Sequence, residues 1–222
     1  MVDARELVTK IRDSLESVEK RIRGHPYLAS VEAGEVSREE LRLFVGEQLH
    51  IIPGDLRSVA FLVSRCERRE SQTFFGNVLA GEAAALEALE TLADALGISQ
   101  AERDGFEPSP GAQAYSYYLS WLCGYGSDAE VAAAFSVNFA AWGANCGRMA
   151  DALKTKLGFE PSEVRFFTQF AEAPSEASRE ALRIIDAGLA RGITTQQISR
   201  ACRMLQGYEL MFWDTVYERL KK

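Results

Sequence analysis

The chain has 222 residues, 47% of them hydrophobic and 26% charged, with 25 basic against 32 acidic side chains and a formal net charge of −7. Such a length fits one globular domain, 1–222, with core enough to leave an internal cavity, and nothing within it reads as a linker. The negative balance repels phosphate backbones, so no nucleic-acid partner is expected, and no apolar run approaches the ~20 residues a membrane span needs.

Four cysteines, Cys66, Cys123, Cys146 and Cys202, are spread through the chain with no CxxC pair. That spacing suits buried free thiols in a reducing compartment better than a disulfide frame. The N-terminal stretch is amphipathic and charged throughout, unlike a secretory signal, so a cytoplasmic location is the expectation.

Hydrophobic residues recur at three- and four-residue spacing, and no segment alternates as a strand would. The first predicted helix spans 3–23 and stops at Gly24, ahead of His25-Pro26 in a loop. A capping box, Ser37 with Glu40, opens a helix over 38–52. Pro53 is expected to kink or break the chain before a further helix over 55–68. Next comes 71–96, stopped by Gly97, and then the longest irregular stretch, 98–111, which reads as a connection or a lid. Beyond it lie 112–125, and 128–157 between the Ser127/Glu130 box and Gly158. Helices over 162–173, 176–191 (before Gly192) and 195–220 (from the Thr194/Gln197 box) complete an all-α chain.

Polar residues fall where core should be. On a wheel of about 100° per residue, Ile198, Cys202, Leu205, Phe212, Val216 and Leu220 share one face of the last helix, and Glu209 lies about 20° from Ile198. A carboxylate on such a stripe must be paired, hydrogen-bonded or protonated, and a shifted pKa makes it a candidate acid or base. A structural carboxylate paired to an arginine or to helix amides is the alternative. Gln48 sits on the stripe of Leu41, Phe44, Val45, Leu49 and Ile52. Asn138 and Asn145 sit on that of Val131, Phe135, Trp142, Met149 and Leu153. Buried amides on two helices and a carboxylate on a third suggest polar atoms converging on an internal ligand cavity. Two aromatic groups, Tyr115, Tyr117, Tyr118 and Trp121, then Phe166, Phe167 and Phe170, offer it walls.

Glu47 and His50 have the Glu-x-x-His spacing of di-iron bundles. The wheel places both on the polar side of their helix, no second such pair exists, and His25 is the other histidine. No Gly-rich phosphate loop and no GxSxG is present. No metal and no cofactor is expected.

Several segments resemble the TenA/PqqC family, whose members share a heme-oxygenase-like multi-helical bundle. They are Gly24-His25-Pro26-Tyr27-Leu28, Glu35-Val36-Ser37-Arg38-Glu39-Glu40-Leu41, Ala114-Tyr115-Ser116-Tyr117-Tyr118-Leu119, and the ending Tyr208-Glu209-Leu210-Met211-Phe212-Trp213-Asp214. In the thiamin-salvage hydrolases of that family the resemblance implies a pyrimidine pocket with a cysteine nucleophile, a glutamate proton donor, and an aspartate and tyrosines on the ligand. Glu209 matches the glutamate and Tyr115 one tyrosine. Gln48 falls where the aspartate belongs, Ile51 and Phe170 where tyrosines do, and Asn138 at the nucleophile. Cys146, eight residues on, is about two turns away, and Asn cannot form the thiolate's covalent intermediate. Glu19 falls where heme enzymes carry the proximal histidine.

The resemblance thus implies binding, with or without transformation, of a small heterocyclic or amide-bearing molecule, distinct from thiamin or aminopyrimidine hydrolysis. Glu209 would be the acid/base, and Gln48, Tyr115, Asn138, Trp142, Phe170 and Tyr208 the ligand contacts. It also implies a homodimer or homotetramer. A non-enzymatic binding or regulatory module is one alternative, and a metal-dependent oxidase using Glu47, His50 and Glu82 is another.

Overall fold

The computed structural model describes residues 3–171 and 175–221. Ten α-helices run through them: α1 (Ala4–Arg23), α2 (Pro26–Ala33), α3 (Arg38–Arg65), α4 (Arg69–Ala95), α5 (Gln100–Asp104), α6 (Pro110–Tyr125), α7 (Asp128–Leu157), α8 (Arg165–Ala171), α9 (Ser175–Ala190) and α10 (Thr195–Leu220). Among the described residues there is no strand. The all-α reading holds, and no helix of the described residues is long and apolar enough to cross a membrane.

Helix starts follow the sequence closely, because capping is local chemistry. Ser37, Ser127 and Thr194 each accept a hydrogen bond from the backbone N–H three residues on, and Glu40, Glu130 and Gln197 reach back to complete the boxes. At the far end of α7, Gly158 takes the left-handed conformation (φ 66°) that closes the helix without a Cβ penalty.

Three differences from the sequence reading have physical causes. Pro53 neither breaks nor ends its helix: α3 runs unbroken from Arg38 to Arg65. Proline removes one backbone bond, while α4 and α6 pack against α3 and hold the helix together. Second, α2 fills what reads as a loop. His25 is its N-cap, buried, with Nδ1 accepting from the Tyr27 amide at 3.2 Å and Nε2 3.1 Å from Asp214 Oδ1. Third, the 98–111 stretch carries the short α5, started by a further capping box, Ser99 with Glu102. The predicted 162–173 helix is ordered as α8 over Arg165–Ala171, and its last two positions lie outside the described residues.

Two apolar clusters make the core. One gathers Phe44, Leu89, Phe167, Phe212 and Trp213, and the other Phe75, Leu122, Val131, Phe135, Ile198 and Leu205. Tyr115 packs against both. Of the polar residues that the wheels place inside the stripes, Gln48, Asn138 and Glu209 come together where α3, α4, α6, α7 and α10 meet.

Candidate functional site

A cavity of about 40 Å³ is lined by Gln48, Ile51, Ile52 and Asp55 of α3, Glu82 of α4, Tyr115 of α6, and Asn138, Phe139 and Trp142 of α7. Phe170 of α8 with Glu209 and Phe212 of α10 complete the wall. On the usual measure this space holds about three water molecules. No lining residue carries a positive charge, while three carry a carboxyl group.

Glu209 is held by a directional network. Trp213 Nε1 donates to its Oε1 at 3.3 Å, and Asn138 Nδ2 donates to its Oε2. The same Asn138 amide donates to Gln206 Oε1 at 3.0 Å, while Asn138 Oδ1 accepts from the Tyr115 hydroxyl at 3.2 Å. Both ends of Asn138 are thereby committed, which sets its orientation. Burial pushes the Glu209 carboxyl up to about 8, against the opposing pull of the Trp213 and Asn138 hydrogen bonds. Tyr115 is pushed well above its ordinary value by burial and then by the charges of Asp55, Glu209 and Glu82, so it remains a neutral donor.

A second carboxyl group stands nearby. Asp55 is buried and accepts from Ser116 Oγ at 2.5 Å. Burial raises its pKa more than that hydrogen bond lowers it. Glu82 is raised by burial and then by the charge of Asp55. Its Oε2 atom is enclosed and without a hydrogen-bond partner.

Of the residues expected at the site, Glu209, Gln48, Tyr115, Asn138, Trp142 and Phe170 line the one cavity. Tyr208 does not: its ring lies against Tyr118 with centroids 5.3 Å apart, one residue's rotation away from Glu209. Asn145 is buried elsewhere and donates to the carbonyl of Ile22 at 3.1 Å, tying α7 to the end of α1. Asp55, Gln206 and the placement of Glu82 escaped the sequence reading. Asp55 is seven residues from both Gln48 and Leu62, and Glu82 seven from both Phe75 and Leu89, which is the helical-stripe signal that could have found them.

The Glu47, His50 and Glu82 set does not assemble. Glu47 is fully buried rather than on a solvent side, because α6 and the loop before it cover that face of α3. Its carboxylate accepts from Arg219 Nη1 and the Ser109 amide, each at 3.0 Å, and from Gln113 Nε2 at 2.7 Å. His50 is exposed, its ring 5.7 Å from that of Phe106. Among the described residues, no group of three or more His, Cys, Asp or Glu side chains is placed to hold a metal ion.

Backbone contact shapes the pocket as well. A Cβ on Gly143 would meet the Phe170 carbonyl oxygen at 2.7 Å, so glycine there lets α8 close against α7 and bring Phe170 to the cavity. Gly54 does likewise for α6, where a Cβ would lie 2.8 Å from Ser116 Oγ.

An all-helical bundle enclosing a carboxyl-bearing, aromatic-walled pocket is the class that fold and site define. The chain matches the model of the TENA/THI-4/PQQC family over residues 12–219 and belongs to that family. A TenA homologue from Pyrococcus furiosus shares 20% identity, covering 95% of this chain and 100% of that one, with a TM-score of 0.75. Another from Pyrococcus horikoshii OT3 shares 18%, covering 96% and 98%, with a TM-score of 0.77. A domain with a heme-oxygenase-like fold from Shewanella denitrificans OS217 shares 14%, covering 100% and 94%, with a TM-score of 0.75. These likenesses establish the heme-oxygenase-like fold. No curated protein matches the chain.

Proposed function

We propose that the protein is a cytoplasmic, self-associating TenA-like protein that binds a small heterocyclic or amide-bearing molecule in the cavity beside Glu209. The observation that carries this reading is the Tyr115–Asn138–Glu209–Trp213 network. It holds one carboxyl group in place at a cavity wall and leaves it titrating near neutral pH. A carboxyl so poised suits general acid/base work or neutral hydrogen bonding to a ligand nitrogen. Gln48 and Asn138 orient the ligand, and Tyr115, Trp142 and Phe170 wall it. Phe139, Trp142 and Phe170 are half-buried members of the cavity wall.

A specific observation favours a second reading, a binding or regulatory module without bond chemistry. No cysteine lines the cavity. Burial pushes the Cys123 and Cys202 thiols up to about 12 and raises Cys146 and Cys66 as well. None of the four offers the thiolate on which nucleophilic hydrolysis depends.

Native mass spectrometry of the purified protein, and of Glu209→Gln, tests both. Binding with turnover predicts a retained small molecule that changes mass on incubation. The module reading predicts a retained molecule that does not. A protein that retains nothing, with Glu209→Gln altering stability alone, would refute both.

A further inference from the structure

Asp55 and Glu82 take no part in the Glu209 network, and they stand on helices α3 and α4 with their carboxyl groups on the same cavity. Asp55 has the Ser116 hydroxyl and Glu82 Oε2 has no partner at all. Buried polar atoms in native proteins are almost always satisfied, and an enclosed, unpaired oxygen on a carboxyl group that lines a cavity calls for a donor from outside the chain. No lysine, arginine or histidine lines the space to supply one. The rest of the lining is mostly aromatic and aliphatic, Phe139, Trp142, Phe170, Phe212, Ile51 and Ile52, with Gln48, Tyr115, Asn138 and Glu209 as its other polar members. Calcium and magnesium want six or more oxygen ligands, and among the described residues no group of three or more His, Cys, Asp or Glu is placed to hold a metal ion. An organic cation is served on both counts, by carboxyl oxygens on one side and ring faces on the other.

We propose that the Asp55–Glu82 end of the cavity is a subsite for a cationic nitrogen group, so that the molecule bound by this protein carries an ammonium or amidinium. The inference rests on the reading of this cavity as a ligand pocket and names its ligand class. Before a cation enters, the two carboxyl groups hold a proton that their burial and the charge of Asp55 on Glu82 retain. When an amidinium enters it donates N–H bonds to both carboxylates, and the retained proton leaves to solvent. The charged or titratable groups facing the pair are Tyr115 and Cys123 from α6 and Glu209 from α10. Tyr115 and Cys123 stay neutral through the neutral pH range because both are raised.

The test uses three ligands of one shape and three charges, acetamidine, acetamide and acetate, at up to about 50 mM, a range suited to molecules of four heavy atoms. Binding is read from the fluorescence of Trp142, in the wild type and in a Trp142→Phe control that marks its contribution, and from calorimetry in two buffers of different ionisation enthalpy. Acetamidine is expected to bind at least about tenfold more tightly than acetamide. It should release a proton and gain affinity as pH rises from 6 to 8, while acetate does not bind. Glu82→Gln and Asp55→Asn each bring acetamidine down to the affinity of acetamide without weakening acetamide. Glu209 lines the same cavity and its carboxyl is raised to about 8, so the proton release is read in Glu209→Gln as well. Release that persists there belongs to the pair even should Glu82→Gln or Asp55→Asn fail to fold, and release that vanishes there overturns the assignment. Absence of acetamidine binding, equal affinity for acetamidine and acetamide, or a preference that survives both variants overturns the cationic subsite. Equal binding that Glu209→Gln abolishes leaves the pocket reading intact. Silence from all three ligands, with Glu209→Gln changing stability alone, removes both.

Discussion

Helix α3 carries two buried acidic residues that the protein treats in opposite ways. Glu47, near its middle, is saturated: a guanidinium, a backbone amide and a side-chain amide converge on it. Asp55, two turns on, meets one hydroxyl and a second acid, Glu82, and lines the cavity. Glu209 resembles Asp55 in this respect, since its two donors are neutral. A carboxylate that folding has neutralised with its own donors and a cation is structural. One left short of them at a cavity wall keeps capacity for something else, and that contrast separates scaffold from candidate site better than burial, which both share.

The largest effect expected from this contrast is at Glu209. Its folded pKa lies above the ordinary 4.5, at about 8, so the folded state binds the proton more tightly than the unfolded state. The stability this confers is fully present below about pH 4.5 and is lost as pH rises through 8. Glu209→Gln lacks that dependence. By pH 9 it should be more stable than wild type by about 4 kcal/mol, the shift being worth about 5 and the amide losing about 1 for one unmatched donor. Below pH 5 it should be slightly less stable, and urea denaturation across pH reads both limbs. A variant destabilised at every pH would show Glu209 to be paired like Glu47.

Glu47→Ala should move the opposite way, costing about 2 kcal/mol at neutral pH, because Gln113 and the Ser109 amide lose a buried acceptor while the partly exposed Arg219 turns to water. Its ligand binding should be unchanged. Gly143→Ala drives a Cβ against the Phe170 carbonyl, which is backbone and gives poorly, so a loss of about 1–2 kcal/mol and a weaker ligand grip are expected together. Tyr115→Phe removes one hydrogen bond to Asn138 and should cost about 1 kcal/mol. Tyr208→Phe, outside the cavity, should change stability by less than about 0.5 kcal/mol and ligand binding not at all.

Much of this was legible before the structure, and what was not has identifiable causes. Helix starts read well because Ser37, Ser127 and Thr194 act on amides three residues away, without tertiary help. Glu209, Gln48 and Asn138 stood out because each interrupts a long apolar stripe. Asp55 was hidden by Pro53. With the helix expected to break there, Asp55 opens a new one, where an acidic residue is ordinary, whereas in the continuous α3 it lies on the line joining Gln48 to Leu62. Glu47 misled for a different reason. A single wheel assumes one buried face, and α3 packs against both α4 and α6, with Ser109 and Gln113 bonded to Glu47. Tyr208 entered by adjacency to Glu209 in the family's ending, and neighbours on a helix point about 100° apart.

The ionisation of Glu209 in the folded protein tests the central claim most directly. Carbon-13 NMR of side-chain carboxyl groups, with Glu209→Gln to assign the resonance, follows it. A midpoint near pH 8, with the resonance largely in its neutral form at pH 6.5, is the predicted result. A midpoint at or below about 5, within the ordinary carboxylate range, would place Glu209 with Glu47 among the paired structural acids and contradict the account.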